Sequence, residues 1–462
     1  MRGTVVAPTR GMKRFSACIL SLACSSSVPV ATPPVWTNAP TSIQLAQGET
    51  QSVALAFTDP KGFPVSASIT ATSLQTVTSS DGTTLTVHAG FDAPAEDTVT
   101  VTLDDGHGET AVYPVAVTIE PIGWTSDLQW VSATETGGTG PSGREHGTFL
   151  IDDTSRTVML VGGSGYPPQV TQGTPLGDFW KLDIATGTWA AVTPQGDVLP
   201  PVASARAVRM AGTTTAYLFG GYTGDGTVDS GDLYRADYGN GQLTFTKLTQ
   251  VSAPPPRELH GFGFDPKTQT FVVFGGFSYA NGDAFGDTWT MQLAGNTATW
   301  TQLAGTGPSP RYGFFYGTDE VSGRFIVYSG AQDPTGSDSI NAAQDTWALD
   351  LRQSPPVWSQ VLDGSEPNHP PGRRNGCYVL DPRGPSLYVF GGTSDGLTTQ
   401  PGLFALDMRP GNEGFSEIDR ASAPPVRSSD FGFYDATADA VSCAFGNNPN
   451  AYTDVATIGP SQ

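Results

Sequence analysis

The chain has 462 residues, 56 of them glycine and 37 proline, and its 44 acidic against 23 basic side chains give a net charge of −21. That balance argues against nucleic acid and against adsorption to anionic lipid, and no apolar run reaches the ~18 residues that span a bilayer. The length allows a sizeable core, and the composition fits a folded all-β chain of two domains.

Residues 1–24 read as an export signal, with Met12 as an alternative start: Lys13 and Arg14 precede a short apolar stretch ending in small residues. Leu22-Ala23-Cys24 resembles a bacterial lipobox, although Ser21 stands where leucine is usual. The resemblance implies lipidation of Cys24 and an exported protein at the bacterial outer membrane or cell surface. The membrane is then touched through the lipid anchor only; the alternative is a plain, cleaved signal. Residues 25–35, rich in Ser and Pro, form an extended tether.

Between residues 36 and 121, short runs alternate apolar and polar side chains, as in Ser52–Phe57, Thr98–Leu103 and Ala111–Ile119. Turn signals at Asp59-Pro60-Lys61-Gly62, Asp81-Gly82 and Asp105-Gly106 separate them. About seven strands in this length indicate a small two-sheet β-sandwich. The stretch from Asp97 to Ala111 resembles the closing hairpin of bacterial Ig-like and cadherin-like surface domains. Such relatives sometimes hold Ca2+ with loop carboxylates, and Asp59, Asp104 and Asp105 are the donors here. Three loop acids do not fill a coordination shell, so turn roles are expected for them. No metal or cofactor is assigned; Ca2+ is the one ion the loops suggest, and Asp225, Asp229, Asp232, Asp283 and Asp287 further along are loop acids without EF-hand spacing, expected to be solvated.

From residue 123 to 462 a single unit recurs. Its mark is Leu160-Val161-Gly162-Gly163, repeated at Leu218–Gly221, Val273–Gly276, Val327–Gly330, Val389–Gly392 and, weakened, Ala444–Asn447. First-glycine positions at 162, 220, 275, 329, 391 and 446 give steps of 58, 55, 54, 62 and 55 residues. Arg144, Arg257, Arg311 and Arg373 each lie 18 residues before that position, Arg427 lies 19 before Gly446, and Val202 replaces the arginine in the second copy. A strand opening with Asp follows the glycines (Asp178, Asp232, Asp287, Asp345, with Gly402 in the fifth copy), then an isolated aromatic at Trp189, Phe245, Trp300, Trp358 or Phe415.

This order of parts resembles the kelch repeat. The resemblance implies a six-bladed kelch β-propeller, in which the aromatics pack between blades and the Asp side chains bond turn amides. The sixth copy lacks its Trp, so residues 128–134, around Trp130, are expected to close the ring. The interval of 14 residues from Trp130 to Arg144 is close to the 12 from Phe245 to Arg257. Four cysteines are too few for a disulfide scaffold. Cys377 and Cys443 fall in neighbouring repeats, as either one disulfide or two buried thiols.

Strand alternation sends the loop after the glycines and the loop carrying the arginine to one face. Arg144, Arg257, Arg311, Arg373 and Arg427 are expected there, with Tyr166, Tyr222, Phe277 and Tyr279. Planar donors beside aromatic rings suit a carboxylate-bearing or sugar-like ligand, or a peptide, so a protein, peptide or glycan partner is expected. The alternative for each arginine is an ion pair with the Asp of a neighbouring blade. Catalytic patterns are sparse: the five histidines lack metal-ligand spacing, there is no Gly-x-Ser-x-Gly elbow or phosphate loop, and Cys377-Tyr378 does not supply the cross-linked pair of kelch-type copper oxidases. A binding module is therefore expected rather than an enzyme. The alternative is a kelch-type sugar-acid isomerase or mutarotase using Arg144, Glu145, His146, Glu258 and His260. It requires His146 and His260 to reach a shared ligand.

Overall fold

The structure is a computed structural model that describes residues 32–46, 50–71, 76–80, 84–89, 96–120, 140–165, 173–223, 228–332, 341–381, 386–396, 398–418, 426–428, 431–438, 440–447 and 455–458. The export signal, Cys24, most of the tether, Tyr166 and the expected closing strand at 128–134 lie outside the described residues.

In the N-terminal region alternation becomes packing. Glu96–Asp104 buries every second side chain, as a half-covered strand must. It lies in a four-stranded sheet ordered Ser42–Ala46, Thr110–Glu120, Glu96–Asp104, Ser66–Ala71. A three-stranded sheet of Thr50–Ala54, Thr84–Ala89 and Thr76–Ser80 faces it. Val99, Val101, Val115 and Val117 of the first sheet share one core with Leu85 and Val87 of the second. The loop acids serve turns. Asp59 accepts from the amides of Lys61 and Phe63, Asp104 from Gly106, and Asp105 from His107 and Glu109.

Among the described residues six larger sheets follow, here numbered 1 to 6, beside three small sheets of two or three short strands. Their inner strands are Thr148–Asp152, Arg206–Arg209, Gly261–Asp265, Phe315–Asp319, Cys377–Asp381 and Phe431–Asp435. Sheets 1, 4 and 5 have four strands, and sheets 2 and 3 gain a short parallel edge strand at Gln195–Gly196 and Thr249–Val251. Sheet 6 shows three strands among the described residues. Apolar clusters join each sheet to the next: Tyr234 and Ala236 with Met159 and Val161, Phe262 and Val273 with Phe219, Phe325 and Leu349 with Phe274. Phe415 and Leu387 pack with Tyr328, and Val441 with Val379. The sixth sheet also packs on the first, Phe431, Phe433 and Phe445 against Ile151, Leu160 and Leu182. Cys377 and Cys443 form a disulfide that joins the inner strand of sheet 5 to the second strand of sheet 6.

A backbone bond repeats with this packing. The amide at the second glycine position donates to the carbonyl at the arginine position of the following sheet: Gly163 to Val202, Gly221 to Arg257, Gly276 to Arg311, Gly330 to Arg373, Gly392 to Arg427 and Gly446 to Arg144, at 2.8–3.1 Å. The exit turn needs positive φ at both positions, which glycine adopts without steric cost. In the sixth copy the two positions are Phe445, with φ 60°, and Gly446. Arg427 donates to the Phe445 carbonyl 18 residues on, as Arg257 does to that of Gly275, so the sixth register is one residue earlier than glycine alone suggests.

The five arginines are completely buried, and this corrects their expected exposure on a ligand face. Arg144, Arg257 and Arg311 each donate to the first-glycine-position carbonyl and, through two nitrogens, to Asp178, Asp287 and Asp345. The paired acid belongs to the arginine's own sheet, not to a neighbour. The same acids accept the indole N–H of the tryptophan two residues on (Trp180, Trp289, Trp347) rather than turn amides. Where Gly402 replaces the Asp, Arg373 donates to the Gly391 and Pro401 carbonyls and lies over Phe404.

Burial opposes ionisation of Asp178, Asp287 and Asp345, but the bonds and charge of the paired arginine outweigh it, holding all three below the ordinary carboxylate range. A depressed folded-state pKa stabilises fully above the unfolded value of about 4 and is lost as pH falls through the folded one. Arg257→Met strands Asp287 and should cost about 3–5 kcal/mol at neutral pH, read by urea denaturation, with a smaller deficit as the medium is acidified below about pH 4. An unchanged unfolding midpoint at pH 7 would remove the pair from the fold's supports. The disulfide spans 66 residues, and replacing both cysteines by alanine should lower the unfolding free energy by about 2–4 kcal/mol in the same assay.

Candidate functional site

With the arginine position spent on the fold, the side chains that remain free on that face come from the next residues of each repeat. There the chain turns inward with positive φ at His146, Ser204, Leu259, Gly313 and Asn375. The amide of Ser204 bonds the His146 carbonyl at 2.9 Å, that of Gly313 the Leu259 carbonyl at 3.0 Å, and that of Asn375 the Gly313 carbonyl at 2.8 Å. One turn, repeated in successive sheets, thus gathers Glu145, His146, Ser204, Arg206, Glu258, Tyr312, Arg374 and Asn375 around the shared mouth.

Two of these are cations without a carboxylate partner among the described residues. Arg206 makes no hydrogen bond there, its Nε is buried without a partner, and its guanidinium lies 5.9 Å from the Tyr378 ring centroid. Arg374 donates to the Tyr312 hydroxyl at 3.0 Å and lies over the same ring. Burial, then the charges of Arg206 and Arg374, hold His146 down to about 3, so its imidazole is neutral at physiological pH. Glu258 is buried and its Oε2 has no partner among the described residues. Burial pushes its carboxyl up to about 8.

Of the expected ligand residues, the aromatic ones do assemble. Tyr222 meets Tyr279 at 5.9 Å between ring centroids, Tyr279 meets Phe277 at 5.4 Å, and Phe277 meets Tyr312 at 5.0 Å. Tyr279 is 47% exposed, so the band opens to solvent. Among the described residues no bond joins His146 and His260, although the charge of Arg206 reaches both. His260 is buried edge-on to Phe219, between sheets 2 and 3, while His146 stands at the mouth. Arg144 and His260 are therefore withdrawn from the acid–base set. Of the remaining loop acids, Asp232 pairs with Lys247, Asp287 pairs with Arg257, and Asp229 accepts from the Ser278 hydroxyl. Asp225 lies outside the described residues. Among them, no group of three or more His, Cys, Asp or Glu side chains is placed to hold a metal ion.

Arg206, Tyr312, Arg374 and Asn375 were missed in the sequence, yet two of them carry a signal there. Arg206 follows the one copy whose arginine position is Val202, and Arg374 is the second of a doubled arginine. Each departs from the repeat that explains its neighbours.

Glu258 yields a pH test. A carboxyl raised in the folded state opposes folding once the unfolded chain ionises, so its penalty grows from about pH 4.5 to about pH 8. Glu258→Gln should lose less thermal stability than the parent between pH 5 and pH 8. Parallel melting curves for the two proteins across that range would show that Glu258 is compensated as a charge.

Residues 207–429 match the family model of the KLHDC2/KLHL20/DRC7 kelch-repeats domain. Among curated proteins the chain is similar to multiple epidermal growth factor-like domains protein 8 of Mus musculus, 25% identical over 297 residues, covering 62% of this chain and 10% of that protein. It is also similar to host cell factor 1 of Homo sapiens, 28% identical over 201 residues, covering 38% of this chain and 9% of that protein. The chain thus spans about a tenth of the length of these two relatives. Among solved structures it is similar to YjhT, 14% identical with a TM-score of 0.49, covering 69% of this chain and 95% of that one. The match supports a kelch-repeat domain over residues 207–429, just under half of the chain, within an all-β fold.

Proposed function

We propose that the chain is an exported binding protein whose kelch domain, a closed six-bladed propeller, takes a carboxylate-bearing peptide or glycan on its Gly-Gly face. The observation that carries this reading is Arg374 set beside the aromatic band. A planar cation free of any carboxylate partner among the described residues adjoins rings that open to solvent. A bidentate acid on the guanidinium and an apolar or sugar face on the rings would use both. The six inter-sheet amide bonds and the packing of sheet 6 on sheet 1 support the closed ring. Residues 128–134 would complete its last blade.

The disulfide between sheets 5 and 6 suits an oxidising compartment, in keeping with an export signal over residues 1–24. In this reading Cys24 is lipidated and anchors the protein at the bacterial cell surface. Residues 25–35 are the tether, and the Ig-like sandwich of residues 36–121 is a spacer that lifts the propeller from the membrane.

A glycan and peptide array probed with the purified protein tests the face. Acidic ligands should be retained, and an Arg374→Gln, Tyr279→Ala double variant should bind them at least tenfold more weakly while melting close to the parent. Equal retention by the variant would clear this face of the role.

A further inference from the structure

Behind the mouth, between the inner strands, lies a cavity of about 350 Å3. Its position follows from unequal strands. Every residue of Gly261–Asp265 and Phe315–Asp319 is buried, whereas every residue of Arg206–Arg209 is only half-buried. Ala205 and Ala207 on that side leave space that Phe149, Phe262, Tyr316 and Tyr378 fill elsewhere, and these rings form the walls. The volume is that of a small-molecule site, in which apolar walls surround a few polar groups.

Two arginines line the space, in different electrical states. Arg209 is paired, donating to Asp153 at 2.6 Å and to the Ile151 carbonyl. Arg206 is unpaired among the described residues, and its nearest aromatic neighbours are Tyr378 and, behind it at 5.0 Å, Tyr316. Arg206 is half-buried with its Nε covered and unpartnered, so an anion that enters the cavity meets a guanidinium with free donors and gains a charge-assisted bond. Inorganic anions would answer the charge and leave the cavity empty; a neutral aromatic compound would fill the cavity and leave the charge unanswered.

We propose that this cavity is a second binding site, for a small aromatic carboxylate whose acid group meets Arg206 and whose ring enters between the inner strands. The site is separate from the aromatic band of the outer face and stands whether or not that face binds a macromolecule.

The test is calorimetric titration of the whole protein with 3-phenylpropionate, set against acetate, sulfate, 3-phenylpropanol and 3-phenylpropylamine. Phenylpropionate should bind with a sub-millimolar dissociation constant and each comparison compound at least tenfold more weakly. Arg206→Gln should weaken phenylpropionate at least tenfold without lowering the melting temperature, since Arg206 supports no ion pair. Ala207→Phe, which fills the cavity, should do the same; should it fail to fold, ligand-induced shifts of the Tyr316 and Tyr378 ring protons in the parent protein locate the bound ring instead. Equal binding of the alcohol or the amine, equal binding of sulfate, an unaffected Arg206→Gln variant, shifts confined to other tyrosines, or no binding of phenylpropionate would each overturn the proposal.

Discussion

Everything in the repeat region hangs on one residue position tied in two directions. The buried arginine side chain is bonded within its own sheet, to the glycine-position carbonyl and the strand-opening Asp. Its backbone carbonyl accepts from the glycine amide of the sheet before. The first tie fixes the register of three strands, and the second fixes the angle between two sheets. A buried ion pair of this kind gains little net free energy over an apolar one, because desolvation offsets most of the attraction. What it does is penalise every arrangement that leaves the guanidinium unbonded. The fifth sheet supports that view: without its Asp, Arg373 still finds carbonyls in the same place.

The cations left without a carboxylate partner collect where the repeat is broken. Val202 keeps the carbonyl tie but leaves no guanidinium at the position, and sheet 2 carries its arginine four residues later, where it points at the space between strands rather than at an Asp. The doubled Arg373-Arg374 keeps one guanidinium for the fold and releases the other to the mouth. Ser329, standing for a glycine with φ 61°, shows a break of the other kind: its hydroxyl bonds the Ala343 and Arg373 carbonyls, so the substitution is absorbed locally. A departure whose polar atoms are satisfied is structural, and one whose atoms are left over is a candidate for binding.

Periodicity made the sheets legible in the sequence because spacing and turn chemistry are local. The constant 18-residue interval is the path from the arginine through one hairpin to the glycine turn. Partners are not local, and there the reading went astray. Nothing in Asp287-Thr288-Trp289 says that the carboxylate faces an arginine 30 residues upstream instead of a turn amide. The sixth register was misread because glycine was taken as the mark of the turn. The turn in fact requires only positive φ, which Phe445 adopts while its ring stacks on Phe431. The free cations were invisible for a related reason: a repeat predicts what occurs at its own positions, and Arg206 sits between them.

The distribution of charge along the inner strands completes the picture. In a chain of net charge −21, acids are abundant, and five inner strands end in one: Asp152, Asp265, Asp319, Asp381 and Asp435. Those acids stand at the hairpin end, where Asp152, Asp265, Asp319 and Asp435 bond amides of their own turns. Arg206 and Arg374 belong to the opposite end. A five-residue strand separates the two ends by roughly 16 Å, so the acids at one end are out of hydrogen-bonding reach of the cations at the other. Glu258, the carboxyl beside Arg206, is held neutral below about pH 8 by its burial. Among the described residues, Arg206 and Arg374 thus stand at the Gly-Gly end without a carboxylate bonded to either.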